Sequence, residues 1–201
     1  VGVAWQNNCY NQPCYPSFYY AGDMDFANVL PQLNAKPTLW MAGDSIMQSY
    51  APGDKPVTGW GEMLHTLAQG DAVCQAAHRA DCPFPQEMRY ELPGLVIDNC
   101  AMAGRSSKTF REEGRLDDIA AHIRPGDLLV VSFGHNDANH NKAERYVSAD
   151  AFGESLRPFW DAARRHGAVC LFASPVAMRE FDESGVCHPS FAAYREAMRA
   201  F

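Results

Sequence analysis

The chain has 201 residues, with 17 Lys and Arg against 24 Asp and Glu, a formal net charge of −7. Hydrophobic residues make up 47% and charged residues 20%, which suits one sizeable globular domain with a single core. The acidic balance and the lack of any basic run argue against a nucleic-acid or anionic-membrane partner. The longest apolar stretches are strand-sized, far short of the ~20 residues of a spanning helix, so a soluble protein is expected.

In chain order, residues 1–35 read as a loop-rich N-terminal extension, laden with Tyr and Asn and without clear periodicity. Thr38 to Ala42 predicts a first strand. It ends in Gly43-Asp44-Ser45, and Ile46 to Tyr50 can begin a helix whose N-terminal dipole would favour negative charge near Ser45. Trp60, Met63, Leu64, Leu67 and Ala68 recur at helical spacing, with Gly70 as a stop. Pro83, Pro85 and Pro93 break residues 71–94 into an irregular stretch.

A second strand begins at Leu95 and continues to about Ala101, and Leu116, Ile119, Ala120 and Ile123 mark a second helix. Leu128 to Phe133, apolar throughout, predicts a strand covered on both faces. Phe152, Leu156, Phe159 and Ala163 predict a helix with Asp150 as N-cap and Gly167 as stop. Ala168 to Ala173 is a fourth strand. Phe191, Tyr194 and Met198 suggest a last helix with Arg195 and Arg199 on its wet side. Strands alternating with helices predict an α/β fold with a parallel sheet and right-handed crossovers.

Seven cysteines are present: Cys9, Cys14, Cys74, Cys82, Cys100, Cys170 and Cys187. Cys100 and Cys170 fall inside strand-like runs and are expected as buried free thiols. Cys9 and Cys14 could be stapled locally, which leans the localisation towards export, secreted or periplasmic. Cys74, His78 and Cys82 would share one helical face, but Pro83 and Pro85 follow at once and no fourth ligand is evident. No metal and no organic cofactor are expected.

Sites in open parallel sheets gather at the carboxyl ends of strands. Those ends read Gly43-Asp44-Ser45, then Asn99 through Gly104-Arg105-Ser106-Ser107, then Gly134-His135-Asn136-Asp137, then Ser174-Pro175-Val176. Glycine lets a backbone N–H approach a substrate oxygen, and Asn offers a neutral amide donor at any working pH. Donors aimed at a forming oxyanion are worth roughly 3 kcal/mol each. Ser45, Gly104 and Asn136 therefore read as a nucleophile with two side donors.

These blocks resemble the SGNH (GDSL-type) hydrolases, with Gly-Asp-Ser, a glycine after the second strand and Gly-x-Asn-Asp in order. Gly59-Trp60-Gly61, Gly104-Arg105-Ser106-Ser107-Lys108-Thr109-Phe110, Glu113-Gly114-Arg115 and Phe133-Gly134-His135-Asn136-Asp137 are similar to the rhamnogalacturonan acetylesterase branch. The similarity covers about residues 37–200. It implies a flavodoxin-like three-layer α/β/α fold with strand order 2-1-3-4-5. It also implies deacetylation of plant cell-wall polysaccharide through an acyl-enzyme, with an acetylated carbohydrate as substrate. Ser45 would be the nucleophile, with the Ser45 and Gly104 N–H groups and the Asn136 side chain as oxyanion hole. Alternatives are a lipase or thioesterase on the same fold, or a glycan-binding module that lacks the base.

The family takes its base from an Asp-x-x-His block after a fifth strand, and no such block occurs in these residues. A serine needs an adjacent base to become a competent nucleophile. The expectation is a hydrolase domain over 36–201, incomplete at its C-terminus and lacking the fifth strand. The missing piece would follow in the chain or sit on a second polypeptide, the remaining option being a divergent base. His188, on the loop Phe181 to Pro189 with Asp182 and Glu183 near it, is the internal base candidate, although a loop histidine is more often solvated or substrate-facing. Without the fifth strand, the fourth would be an exposed edge unless something covers it. His135 would orient its loop or line the pocket, and Asp44 would fix the turn by a hydrogen bond rather than serve as a triad acid. Trp60 would wall the cleft or pack in the core. Arg105 would bind an acidic sugar or form a structural salt bridge.

Overall fold

A computed structural model describes residues 18–20, 33–68, 73–178, 181–186 and 190–201. Its strands are β1 (Phe18–Tyr20), β2 (Thr38–Gly43), β3 (Gln75–Ala77), β4 (Met88–Glu91), β5 (Val96–Asn99), β6 (Leu128–Ser132) and β7 (Val169–Ala173). Its helices are α1 (Trp60–Ala68), α2 (Ser107–Glu112), α3 (Arg115–His122), α4 (Ala149–Arg165) and α5 (Ala192–Ala200). Among the described residues the strands form one sheet in the order β1-β7-β6-β2-β5-β4-β3. Its centre, β5-β2-β6-β7, is parallel and matches the expected order 2-1-3-4.

Side chains alternate across the strands and so define two cores. Trp40 and Ala42 of β2, with Leu129 and Val131 of β6, join Phe110, Ile119, Phe133, Phe152, Leu156 and Phe159 under α2 to α5. Met41 and Val130 face the other way, with Met47, Trp60, Tyr90 and Ile97 under α1. Helices thus cover both faces of the sheet, as the three-layer expectation requires. In the larger core the Phe133 ring sits 5.3 Å from Phe110 and 5.4 Å from Phe159, within the range where offset and edge-on aromatic pairs attract.

Four expectations need correction. The 71–94 stretch is not wholly irregular: β3 and β4 extend the sheet antiparallel beyond β5, with Tyr90 opposite Ile97. β4 carries Arg89 and Glu91 and β3 is only Gln75-Ala76-Ala77, so no apolar alternation announced them; β4 is ordered by pairing to β5 and β3 by pairing to β4. Within residues 1–35, Phe18–Tyr20 lies antiparallel on the outer edge of β7, with Tyr19 opposite Phe172. The edge that would otherwise be open is covered there by main-chain pairing. The expected second helix is α3, but a helix not expected from the sequence, α2, precedes it, the two parted at Gly114, whose φ of 77° is left-handed. Finally, Ser148 rather than Asp150 is the N-cap of α4, and Asp150 sits in the first turn. Gly167 ends α4 with a left-handed φ of 69°, as expected of a helix stop.

Asp127, 4% exposed, fixes the depth at which β2 enters the sheet. Its carboxylate accepts from Thr38 N at 2.9 Å, Arg124 N at 3.0 Å and Trp40 Nε1 at 3.2 Å. Removing it strands three donors in or near the core. Asp127→Ala is expected to cost about 2–4 kcal/mol in urea unfolding; a loss under ~0.5 kcal/mol would show that these bonds do not anchor the strand.

Candidate active site

Sheet order reverses at β2, from which the chain passes first to β5 on one side and later to β6 on the other. The crevice beyond the carboxyl ends of β2 and β6 is therefore the switch point where ligands bind in open α/β sheets. Gly43 pairs with Ser132, so Ser45 and Gly134 leave their strands at the same level. The β5 loop joins them through Cys100 N to Met41 O and Met102 N to Gly43 O, each 3.0 Å. Asn136 Nδ2 donates to Arg105 O at 2.9 Å and closes the ring of loops. The loops carrying Ser45, Gly104 and Asn136 converge at one end of the sheet.

Ser45 is partly exposed and lies in a single turn. Met47 N and Gln48 N both reach Asp44 O at 3.1 Å, and no helix begins between Ser45 and Trp60 apart from a 3-10 turn at Pro52–Asp54. The expected helix over residues 46–50 is absent, and with it the dipole at Ser45. Pro52 and Pro56 follow closely, and Gly59 and Gly61 explain the chain's actual course. A Cβ at Gly59 would lie 2.3 Å from Gln48 O and one at Gly61 2.4 Å from Met47 O. The segment after Ser45 thus rests directly on the start of α1, where Trp60 N donates to Ile46 O at 2.8 Å. From the other side, Asn99 Nδ2 holds Met47 O at 2.9 Å. The Ser45 carbonyl accepts from Tyr50 Oη at 3.0 Å.

Asp44 is 2% exposed and fixes the turn as expected, its carboxylate accepting from Ile46 N at 2.9 Å. Asp137, fully buried, accepts from Ser107 N at 3.0 Å and Gly134 N at 3.1 Å, and from the Ser107 hydroxyl. Sequence reasoning quoted both aspartates without seeing them as a pair, since their mutual field exists only once the loops meet. Burial pushes Asp44 up to about 7, and the Asp137 charge adds to the rise. Burial likewise lifts Asp137 to about 6 against the pull of its hydrogen bonds.

Gly104 has φ 77° and Gly134 φ 137°, conformations open to glycine. A Cβ at Gly134 would also stand 2.3 Å from Pro175 Cγ. Neither the Ser45 N–H nor the Gly104 N–H meets an acceptor among the described residues. Asn136 spends one amide hydrogen on Arg105 O and keeps a second.

The remaining candidates separate. Trp60 is 6% exposed and packs with Met41, Met47 and Tyr90, so its core alternative describes it, not a cleft wall. Arg105 is held by Glu113, Nε to Oε1 at 2.8 Å and Oε2 at 3.0 Å, so the salt-bridge reading fits it better than a free sugar ligand. His135 orients its loop: Nε2 lies 2.7 Å from Val176 O, and the ring packs 4.4 Å from Phe191. Burial pulls its pKa down. His188 lies outside the described residues, as do Cys9, Cys14 and Cys187.

Cys100 and Cys170 are buried free thiols. Cys74 and Cys82 are also free and share no helix with His78, whose Nδ1 is 2.8 Å from Glu87 Oε2. No cluster of three or more His, Cys, Asp or Glu suited to a metal occurs among the described residues. No described helix is long and apolar enough to cross a membrane.

A doubly covered sheet with order 2-1-3-4 at its centre and small-residue loops at its switch point is a flavodoxin-like α/β fold. The chain belongs to the GDSL-like Lipase/Acylhydrolase family, whose sequence profile matches residues 41–201. Rhamnogalacturonan acetylesterase RhgT of Bacillus subtilis is 33% identical over 162 residues, covering 81% of this chain and 59% of that protein. The probable rhamnogalacturonan acetylesterase YesY of the same organism is 36% identical over 162 residues, covering 80% and 63%. The chain thus spans about three fifths of the length of these relatives. The crystal structure of Bacillus subtilis YxiM superposes with TM-score 0.61 at 24% identity, covering 84% of this chain and 41% of that one, a likeness of fold.

The two raised carboxylates make stability depend on pH with a definite sign. Both bind protons more tightly folded than unfolded, so their contribution is complete below about pH 4 and is lost as pH rises through 6 to 7. Asp44→Asn removes the larger titration. Urea unfolding from pH 4 to 8 should show a flatter stability profile for the variant than for wild type; parallel profiles would reject the assignment.

Proposed function

We propose that the protein is a serine acetylesterase acting on an acetylated carbohydrate, with rhamnogalacturonan-type polysaccharide as substrate class. The observation that supports this reading is that the loops bearing Ser45, Gly104 and Asn136 meet at one end of the sheet, where the Ser45 and Gly104 N–H groups have no acceptor among the described residues. The similarity to rhamnogalacturonan acetylesterases supports the substrate class.

On this reading Ser45 Oγ attacks the acetyl carbonyl carbon and its proton passes to a base. The carbonyl π electrons move onto oxygen, and the oxyanion is received by the Ser45 and Gly104 N–H groups and the second Asn136 amide hydrogen. Collapse breaks the ester bond, and the sugar hydroxylate leaves with the proton from the base. Water then attacks the acetyl-enzyme through the same base, releasing acetate and restoring Ser45. The family pattern puts the base in an Asp-x-x-His block, which these 201 residues do not contain. No cofactor enters any step.

The test is acetate release by the full-length protein from acetylated rhamnogalacturonan and from short acetyl esters. Ser45→Ala should abolish turnover with the fold intact, and Asn136→Ala should lower kcat by about 10²–10³-fold. Preference for long acyl chains would instead indicate a lipase or thioesterase. Glycan binding without wild-type turnover, unchanged in Ser45→Ala, would indicate a binding module.

A further inference from the structure

We infer that Arg105 is a positioning residue for the proposed reaction, its guanidinium aiming the Gly104 N–H by holding the opposite side of the same peptide group. The inference rests on the esterase reading above. Residues 102–105 form a tight turn closed by Arg105 N donating to Met102 O at 3.1 Å. Gly104, third in that turn, has φ 77°, the mark of a type II turn. Types I and II differ by a flip of the central peptide, which here joins Ala103 to Gly104 and carries the Gly104 N–H. A trans peptide is planar, with its C=O and N–H pointing in opposite directions. Whatever pins the Ala103 carbonyl therefore decides where the Gly104 N–H points.

That carbonyl is pinned by Arg105 Nη1 at 2.8 Å. The guanidinium is itself held from behind, its Nε within 3.0 Å of both Glu113 oxygens, while Glu113 is braced by Arg115 Nε. Charge-assisted, forked contacts of this kind fix geometry better than a neutral bond. The next two carbonyls are tied as well: Gly104 O accepts from Arg145 Nη1 at 3.0 Å and Arg105 O from Asn136 Nδ2 at 2.9 Å. Three successive carbonyls are each claimed by a side chain, and the Gly104 N–H has no acceptor among the described residues. The turn is set with its donor facing outwards. A guanidinium spent on Ala103 O and Glu113 is poorly placed to grip a substrate carboxylate.

A neutral substrate separates the two roles. On 4-nitrophenyl acetate, Arg105→Met in the full-length protein should lose about 10–100-fold in kcat with KM changed less than ~3-fold, because the donor serves the transition state. Glu113→Gln should show a smaller loss in the same parameter. Wild-type kcat in a folded Arg105→Met variant, or a loss confined to KM, overturns the inference. If Arg105→Met does not fold, Arg105→Lys decides, since a single-point ammonium cannot hold both partners: a reduced kcat supports the assignment and an unchanged one rejects it. Hydrolysis by wild type that Ser45→Ala abolishes establishes the parent reading independently. If it is lacking, the parent reading fails and this inference falls with it.

Discussion

The buried carboxylate of Asp137 holds the candidate site together. One oxygen takes the backbone and hydroxyl of Ser107 at the start of α2, the other the backbone of Gly134, and the Asp137 carbonyl takes Val147 N at 3.0 Å. The start of α2, 30 residues away in the chain, and the segment ahead of α4 are thus tied to the loop that carries Asp137. Its neighbours in sequence are the ones the reaction would use: Asn136 precedes it, and Ser107 lies two residues from Arg105. A carboxylate without these donors would be strongly disfavoured at this depth. Its raised proton affinity shows that even with them burial wins in part. Close to it, Asp44 lives under the same constraint and feels the first charge.

Around this pair the backbone does most of the positioning. The Ser45 turn lies against Gly59 and Gly61 at the start of α1 and is tied to Asn99, and the Gly104 turn is tied through its carbonyls. Backbone donors set in a rigid frame need little reorganisation when charge develops before them, which is what an oxyanion site requires. The price of that rigidity is a set of sequence positions where only glycine fits.

Much of this was legible in the chain. Continuous apolar runs marked the four parallel strands, because strands covered on both faces must be apolar throughout, and the family resemblance implied their order. Gly43-Asp44-Ser45, Gly104 and Gly134-His135-Asn136-Asp137 could be placed at strand ends because residues that stop a strand are also those that expose a backbone donor. Other features left no periodic trace. The polar strands β3 and β4 and the Phe18–Tyr20 strand exist through pairing with a formed sheet. The helix expected after Ser45 failed because tertiary contacts with Gly59 and Gly61 hold that segment in a turn, overriding any local tendency.

By itself, then, the sequence determined the alternation of strands and helices and which residue types stand at the carboxyl edge, since both follow from local hydrophobic pattern and turn chemistry. The layering and the order of the central strands were implied by the family resemblance. Only the tertiary structure decided what those residues touch. Trp60 went to the core, Arg105 turned back onto its own turn and Glu113, and two aspartates came close enough to share a field. The physical reason is the range of the forces: patterning acts over a few neighbours in sequence, whereas burial, charge coupling and carbonyl clamping depend on groups dozens of residues apart that meet only in the folded chain.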